Sequence, residues 1–208
     1  MHAPSTPAVS PGLPANRPLR VTYLTSGAAG MFCGSCIHDN TLARVLRAAG
    51  VDIQLVPTYT PIRTDEPDAS VSRVFLGGLN VYFAEKIPGF AQLPRFLTRW
   101  LDRPGLIRFA TSFGIQTDAA DLGSLTVSML RGEHGHQKKD IAALVDWLST
   151  QPRPDVVHFT NLLIGGCIPL LKDRLGCRVV VTLQGDDIFL DSLPEPFRSQ
   201  AIDEMQRL

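Results

Sequence analysis

The stretch that decides the fold is residues 19–50, LRVTYLTSGAAGMFCGSCIHDNTLARVLRAAG. It opens on an apolar, β-favouring run, passes through a glycine-rich turn, and then repeats apolar residues at three- and four-residue spacing up to Gly50. This pattern predicts a buried strand, a tight turn and an amphipathic helix that ends at the glycine. Such a turn leaves unpaired N–H groups at the positive end of the helix dipole, which favours a bound anion, most often a phosphate.

The composition narrows the class of protein. The 208 residues are 44% hydrophobic and 19% charged, with a formal net charge of zero. This balance is typical of a globular domain and gives no electrostatic case for binding nucleic acid. No apolar run approaches the roughly 18 residues of a membrane-spanning helix. The first 18 residues are rich in proline, serine and alanine and lack a signal-peptide core, so we predict a disordered tail on a cytoplasmic protein with reduced cysteines.

Beyond residue 50 the chain repeats the order strand then helix. Apolar runs predict parallel strands beginning near residues 19, 51, 155 and 178. The last is a continuous β-branched run, which a sheet covered by helices on both faces requires. We therefore predict a Rossmann-like, doubly wound α/β domain over residues 19–208, with a mainly parallel sheet and a long helical insertion at about 88–150.

Two further helices are predicted after the last two strands. The first spans residues 162–175, with Asn161 as its N-cap and Gly176 at its end. The second is a last helix over residues 193–208.

Ligands of doubly wound sheets bind beyond the carboxyl ends of the strands. Three segments should meet at that edge: residues 26–36, 158–161 and 184–187. The glycines of the first segment match neither the G-x-G-x-x-G spacing of a dinucleotide site nor the G-x-x-x-x-G-K-[ST] of a P-loop, which disfavours both kinds of nucleotide site. The glycine-rich turn then has two interpretations: a cradle for an anion, or a turn that needs positive φ and binds nothing.

Two cysteines, Cys33 and Cys36, stand at the predicted start of the first helix. Such a pair can form a redox dithiol, because a helix N-terminus lowers the pKa of a thiol. With His38 the pair could also contribute to a metal site, but Cys167 and Cys177 lie far along the chain without paired spacing, so we predict no metal. The alternative is that both cysteines are small residues packed at a tight turn.

Other polar residues at this edge are candidates for contacts with an acceptor or a sugar. They are His38, Asn40, His158, Gln184, Asp186 and Asp187. Structural alternatives stand beside them: Asp39 can offset the helix dipole, His158 can be a satisfied histidine, and two adjacent acids can cap a loop.

Residues 92–109 interleave arginines with aromatic and aliphatic side chains. A basic amphipathic helix of this kind can lie in a membrane interface, which would give peripheral contact with the inner face of the membrane. The alternative, which we prefer, is a helical flap over the edge of the sheet.

Three stretches resemble the N-terminal domain of a GT-B glycosyltransferase of family 4, the "group 1" class. The first is LRVTYLTSGAAGMFCGSCIHDNTLARVLRAAGVDIQLV, similar to the family's opening strand, glycine loop and helix. The second is PDVVHFTNLLIGGCIPLLKDRLGCRVVVTLQGDD, similar to its "DVVH" strand, helix and "VVVT-x-HG" strand. The third is the predicted final helix, which resembles the segment that leads to the family's second domain.

The resemblance implies a retaining, nucleotide-sugar-dependent hexosyltransferase whose N-terminal domain holds a glycan or lipid-linked acceptor. It places Gly30, Gly34 and Ser35 near the donor diphosphate, where N–H groups would stabilise the charge that develops on the leaving group. It implies no metal and no cofactor besides the nucleotide sugar as substrate, and it assigns no catalytic residue in this chain.

Two departures from the family pattern matter. The family often has a histidine before the glycine where this chain has Gln184; an amide can still contact a sugar hydroxyl, since it both donates and accepts. Such enzymes are also about twice as long, and their second domain carries most donor contacts, so we expect a partial enzyme with little transferase activity by itself. The alternatives are a non-catalytic nucleotide- or glycan-binding module and, less favoured, a Cys-x-x-Cys dithiol oxidoreductase.

Overall fold

A computed structural model describes residues 16–27, 32–76, 83, 87, 89–94, 97 and 119–208. The predictions for the N-terminal tail before residue 16, for Gly30, and for most of residues 95–109 lie outside the described residues. Among the described residues, no helix combines the length and the apolar character that crossing a membrane requires.

The core of the fold is a four-stranded sheet in which every neighbouring pair of strands is parallel. The strands are β1 Arg20–Thr25, β2 Asp52–Pro57, β3 Val156–Phe159 and β4 Arg178–Val181, in the spatial order β2-β1-β3-β4. This confirms the predicted α/β class and parallel sheet. The order makes β1 and β3 neighbours although β2 lies between them in sequence. At such a switch point the connections leave the two strands in opposite directions and open a crevice at their carboxyl ends.

Six α-helices are described. They are α1 Gly34–Ala48, α2 Ala119–Leu130, α3 Lys138–Thr150, α4 Ile168–Leu175, α5 Asp186–Ser192 and α6 Phe197–Met205. Short 3₁₀ helices occupy Phe90–Gln92, Gly132–His134 and Leu162–Cys167. The described part of the predicted insertion is therefore helical.

Alternation along β1 divides the core into two layers. Tyr23 is fully buried on the face that packs against α1, together with Leu55 and Ala43. Leu24, the next residue, is fully buried on the opposite face, among side chains of α3 and α4. Successive side chains of a strand point to opposite faces, so a strand with both faces buried reads as a continuous apolar run. This two-sided burial is the doubly wound arrangement that the sequence predicts.

Two predicted helices differ from the structure at their N-terminal ends. Residues 162–167 form a 3₁₀ helix before α4 begins, and a Cβ at Gly166 would lie 1.9 Å from the Met129 carbonyl oxygen, so the chain there packs directly against the α2 backbone. The predicted Asn161 cap is confirmed, since Asn161 Oδ1 accepts the Ile164 N–H at 3.3 Å. The helix predicted over 193–208 is confirmed as α6, but it begins only at Phe197. Pro194 and Pro196 precede it, and proline lacks an N–H and restricts the residue before it.

Candidate functional site

The polar side chains of the switch point lie where β1, β3 and β4 approach the N-terminal half of α1. They come from four parts of the chain that are distant in sequence. The set is Tyr23, Thr25, His38, Asp39, His158, Thr160, Thr182 and Gln184.

Asp39 is the centre of this hydrogen-bond network, and its side chain is fully buried. Its Oδ1 accepts from the Tyr23 hydroxyl at 2.5 Å and its Oδ2 accepts from Thr25 Oγ1 at 2.6 Å. A third donor is Gln184 Nε2, 3.1 Å from Oδ1. A buried acid without partners would be costly, so these three bonds hold β1, α1 and the segment after β4 in one arrangement. Burial, and then the hydrogen bond to Asp39, raise the pKa of Tyr23, which keeps its hydroxyl a donor.

The sequence analysis considers Asp39 only as a partner of the helix dipole. Asp39 is the sixth residue of α1 and lies beyond the first turn. The helix dipole acts mainly within the first turn, so it does not explain this acid. The signal that could have found it was Tyr23, because a phenol in a buried strand needs a hydrogen-bond partner.

Gln184 joins three elements through one amide group. Besides Asp39, its Nε2 donates to Thr160 Oγ1 at 3.2 Å and lies 3.4 Å from His38 Nδ1. Among the described residues, none donates to its Oε1, which leaves an acceptor for a ligand hydroxyl. His38 stands beside it with 54% of its side chain exposed, its Nδ1 3.2 Å from Asp39 Oδ1. The structure thus brings two predicted ligand contacts, His38 and Gln184, to one point.

His158 lies within β3, on the same face as Tyr23. The two rings are stacked, with centroids 4.3 Å apart and planes inclined by 5°. His158 Nε2 is 2.7 Å from Thr182 Oγ1. Burial lowers the pKa of His158, although the nearby Asp39 opposes the shift. The ring is half-buried and has a partner, so the geometry favours the interpretation of a satisfied histidine.

The two acids after β4 have different positions. Asp186 is buried: its Oδ1 accepts the Leu162 N–H at 2.8 Å and its Oδ2 accepts the Gln184 N–H at 3.0 Å. This carboxyl group fixes the backbone of the loop that carries Gln184, as the capping interpretation predicts. Asp187 is exposed in the first turn of α5.

Asn40 faces away from the other predicted contacts. Its side chain is fully buried, its Nδ2 donates to the Pro67 carbonyl at 3.2 Å, and its Oδ1 accepts the Ala69 N–H at 2.9 Å. The amide therefore holds the loop after β2 against α1.

Two described glycines of the glycine-rich turn differ in whether their position requires glycine. Gly27 has φ of +79°, and a Cβ there would lie 2.0 Å from the Thr60 carbonyl oxygen, so both conformation and packing require glycine. Gly34, the first residue of α1, has no such requirement: among the described residues, no heavy atom lies within 4 Å of a Cβ built on it. Ser35 follows in the first turn of the helix. Within the described residues, the space beside Gly34 leaves room for an anion at the start of α1.

Within the part of the chain that the structure describes, no group of three or more His, Cys, Asp or Glu side chains could hold a metal ion. The site is thus a hydrogen-bonding surface made of a half-exposed imidazole, an amide and a helix N-terminus. No protein-family model, no curated protein and no solved structure matches this chain.

Proposed function

We propose that this chain is the acceptor-side domain of a retaining, nucleotide-sugar-dependent glycosyltransferase. The observation that carries the proposal is the position of Gln184, which the buried Asp39 holds beside the half-exposed His38 of α1, the helix that begins at Gly34. The sequence resemblance to family 4 supplies the reaction class.

The chemistry of the site suits a sugar nucleotide. Sugar hydroxyls both donate and accept, so they are matched by groups such as the Gln184 amide and the His38 imidazole, which do the same. The Asp39 network fixes both side chains before a ligand binds, which lowers the entropic cost of binding.

A diphosphate would occupy the N-terminus of α1. There the N–H groups of Gly34 and Ser35 and the helix dipole favour negative charge, and the missing side chain of Gly34 lets the backbone approach the phosphates. In glycosyl transfer the same groups would stabilise the charge that develops on the leaving diphosphate. The proposal includes a second GT-B domain that supplies most donor contacts, and a glycan or lipid-linked acceptor. It requires no metal and no further cofactor.

The proposed location is cytoplasmic, with peripheral contact at the inner face of the membrane through residues 92–109. Of these, only residues 92–94 and 97 are among those described. Co-sedimentation with anionic vesicles at low salt tests this part of the proposal, and recovery of the whole chain in the supernatant would remove it.

Titration followed by NMR tests the binding step directly. The ¹⁵N-labelled chain is titrated with UDP-, GDP- and ADP-glucose at millimolar concentration, with glucose alone as a control. We expect shifts of the Gly34 and Ser35 amides and of the Gln184 side-chain amide, with one nucleotide preferred. A Gln184→Ala variant should weaken binding by about tenfold, since it removes the amide proposed to bond the sugar hydroxyl. Gln206→Ala, at an exposed position just after α6, should not.

A folded chain whose β1/β3 edge responds to none of the three sugar nucleotides would overturn the proposal. Binding without any transfer, even when a second domain is supplied, would favour the non-catalytic binding module instead.

A further inference from the structure

The two cysteines at the start of α1 occupy different environments. Cys33 is the N-cap residue, with extended backbone and a partly exposed side chain. Cys36 lies one turn into the helix and is 1% exposed. Both are free thiols, three residues apart at the start of the helix, a spacing that places neighbouring side chains on one helix face.

The surroundings of the outer sulfur stabilise its thiolate. Partial burial works against the charge, but the backbone N–H groups of Cys36 and Ser35 point toward the sulfur, and together with contacts from those two side chains they lower the pKa of Cys33. The thiolate is the nucleophilic form of cysteine, and a helix N-terminus is where low-pKa thiols are found.

The inner sulfur has the opposite character. Burial, and then the neighbouring Cys33, raise the pKa of Cys36 to about 12. It is therefore a thiol in the resting state, out of reach of solvent and in contact with Cys33. These are the properties of a resolving cysteine, which attacks only after its neighbour has formed a mixed disulfide.

We propose that Cys33 and Cys36 are a redox-active dithiol that is oxidised by low-molecular-weight disulfides. The Cys33 thiolate attacks one sulfur of a disulfide RSSR, which forms the mixed disulfide Cys33–S–S–R and releases RS⁻. The Cys36 thiol gives its proton to RS⁻, and its sulfur attacks the Cys33 sulfur, which forms the Cys33–Cys36 disulfide and releases a second thiolate that is protonated by water. Two protein thiols are oxidised, one disulfide is reduced to two thiols, and excess dithiol reverses the sequence.

The other two cysteines are internal controls. Burial raises the pKa of Cys167 to about 12 and also raises that of Cys177. Both are buried in the apolar core on the opposite face of the sheet from α1, so reagents in water should reach neither while the chain is folded.

The test is equilibration of the full chain with oxidised and reduced glutathione, followed by acid quench, alkylation and mass spectrometry. We expect a mass loss of two hydrogens, a disulfide mapped to the peptide that contains Cys33 and Cys36, and alkylation of Cys167 and Cys177 only after unfolding. Cys36→Ser should accumulate one glutathione on Cys33, Cys33→Ser should take up none, and Cys167→Ser should behave as the wild type.

A measurement on the unmutated chain keeps the proposal testable if a variant fails to fold. Iodoacetamide should label Cys33 faster than Cys167 by about tenfold or more, with a rate that reaches half its maximum below the ordinary cysteine pKa of about 8.5. The proposal is wrong if no glutathione ratio yields the Cys33–Cys36 disulfide, or if all four cysteines react alike. Neither result depends on whether the chain binds a sugar nucleotide.

Discussion

The imidazole of His158 lies flat on the phenol of Tyr23, with ring centroids 4.3 Å apart. The stack fixes the plane of the Tyr23 ring, and the hydroxyl at its end donates to Asp39 at 2.5 Å. A contact between two neighbouring strands thus orients the group on which the candidate site is built. The stability of the sheet and the geometry of the site are consequently linked through one side chain.

Removal of the central carboxyl group should destabilise the whole domain. Asp39→Ala leaves the donors of Tyr23, Thr25 and Gln184 without their partner in a buried place. We expect the free energy of unfolding to fall by about 3 kcal/mol. Urea denaturation measures this loss, and Asp187→Ala, at an exposed position, should change it by less than about 0.5 kcal/mol. Equal urea midpoints for the two variants would show that the network contributes nothing.

A second acid beside Asp39 should make stability depend on pH. Gln184→Glu places a new carboxyl group where an amide now lies 3.1 Å from Asp39 Oδ1, and two acids this close cannot both ionise cheaply. The folded-state pKa of the introduced carboxyl group is therefore raised, so its contribution to stability is complete below the unfolded value of about 4.3 and is lost as pH rises through the raised value. Urea midpoints from acid to neutral pH should fall for Gln184→Glu relative to Gln184→Ala. Parallel curves for the two variants would contradict the contact.

The half-buried imidazole of His158 should contribute a pH dependence of the opposite sign. Burial lowers the pKa of His158, so the unfolded chain takes up a proton at a higher pH than the folded chain does. Stability is then complete above the unfolded value of about 6.5 and falls as pH drops toward the lowered folded value. His158→Phe, which keeps an aromatic ring against Tyr23, should flatten the curve in this window. His134→Gln, at an exposed position, should leave it unchanged, and a wild-type curve that is already flat would refute the prediction.

The two glycines at the ends of the turn should respond oppositely to alanine. Gly27→Ala forces a Cβ against the Thr60 carbonyl at a φ of +79°, and we expect a loss of about 2 kcal/mol or more. Gly34→Ala adds a methyl group to a helix where no described atom obstructs it, and we expect a gain of about 0.5–1 kcal/mol. Calorimetry measures the melting temperature of each variant, which should fall for Gly27→Ala and rise for Gly34→Ala. A shift in the same direction for both variants would contradict the prediction.

An anion at the start of α1 should protect the outer cysteine. The Ser35 N–H that points toward the Cys33 sulfur belongs to the helix end where we propose the diphosphate binds. Inorganic pyrophosphate should therefore slow iodoacetamide labelling of Cys33. Sodium chloride at equal ionic strength, the control, should not. Unchanged labelling, together with intact disulfide formation, would remove the proposed position of the diphosphate and leave the dithiol standing.

The sheet was predictable because the sequence pattern that indicates each strand lies within a few consecutive residues. Each strand is an apolar run bounded by a turn, and the parallel order follows from the helices between the runs. The Asn161 cap was predictable for the same reason. The late start of α6 was also visible in the sequence, because Pro194 and Pro196 stand directly before the helix.

The centre of the site was not predictable in this way. Asp39 meets Tyr23 across 16 residues and Gln184 across 145, and no periodicity encodes contacts of that range. The 3₁₀ stretch before α4 likewise depends on the approach of Gly166 to the α2 backbone, a tertiary contact that overrides local propensity. Whether the remaining predicted contacts bind a ligand stays a prediction that the titrations above can test.

The alternation of Tyr23 and Leu24 between the two faces of β1 restricts how this protein can vary. Loss or gain of a single residue within Arg20–Thr25 would turn the Tyr23 hydroxyl into the apolar layer beneath α3 and α4 and present Leu24 to Asp39. Both layers would lose their packing together, because a hydroxyl would enter the apolar layer and an apolar side chain would face the carboxylate. Insertions and deletions among related chains should therefore fall in the connecting loops and not in this strand. The length of β1 and the presence of Asp39 should be retained together.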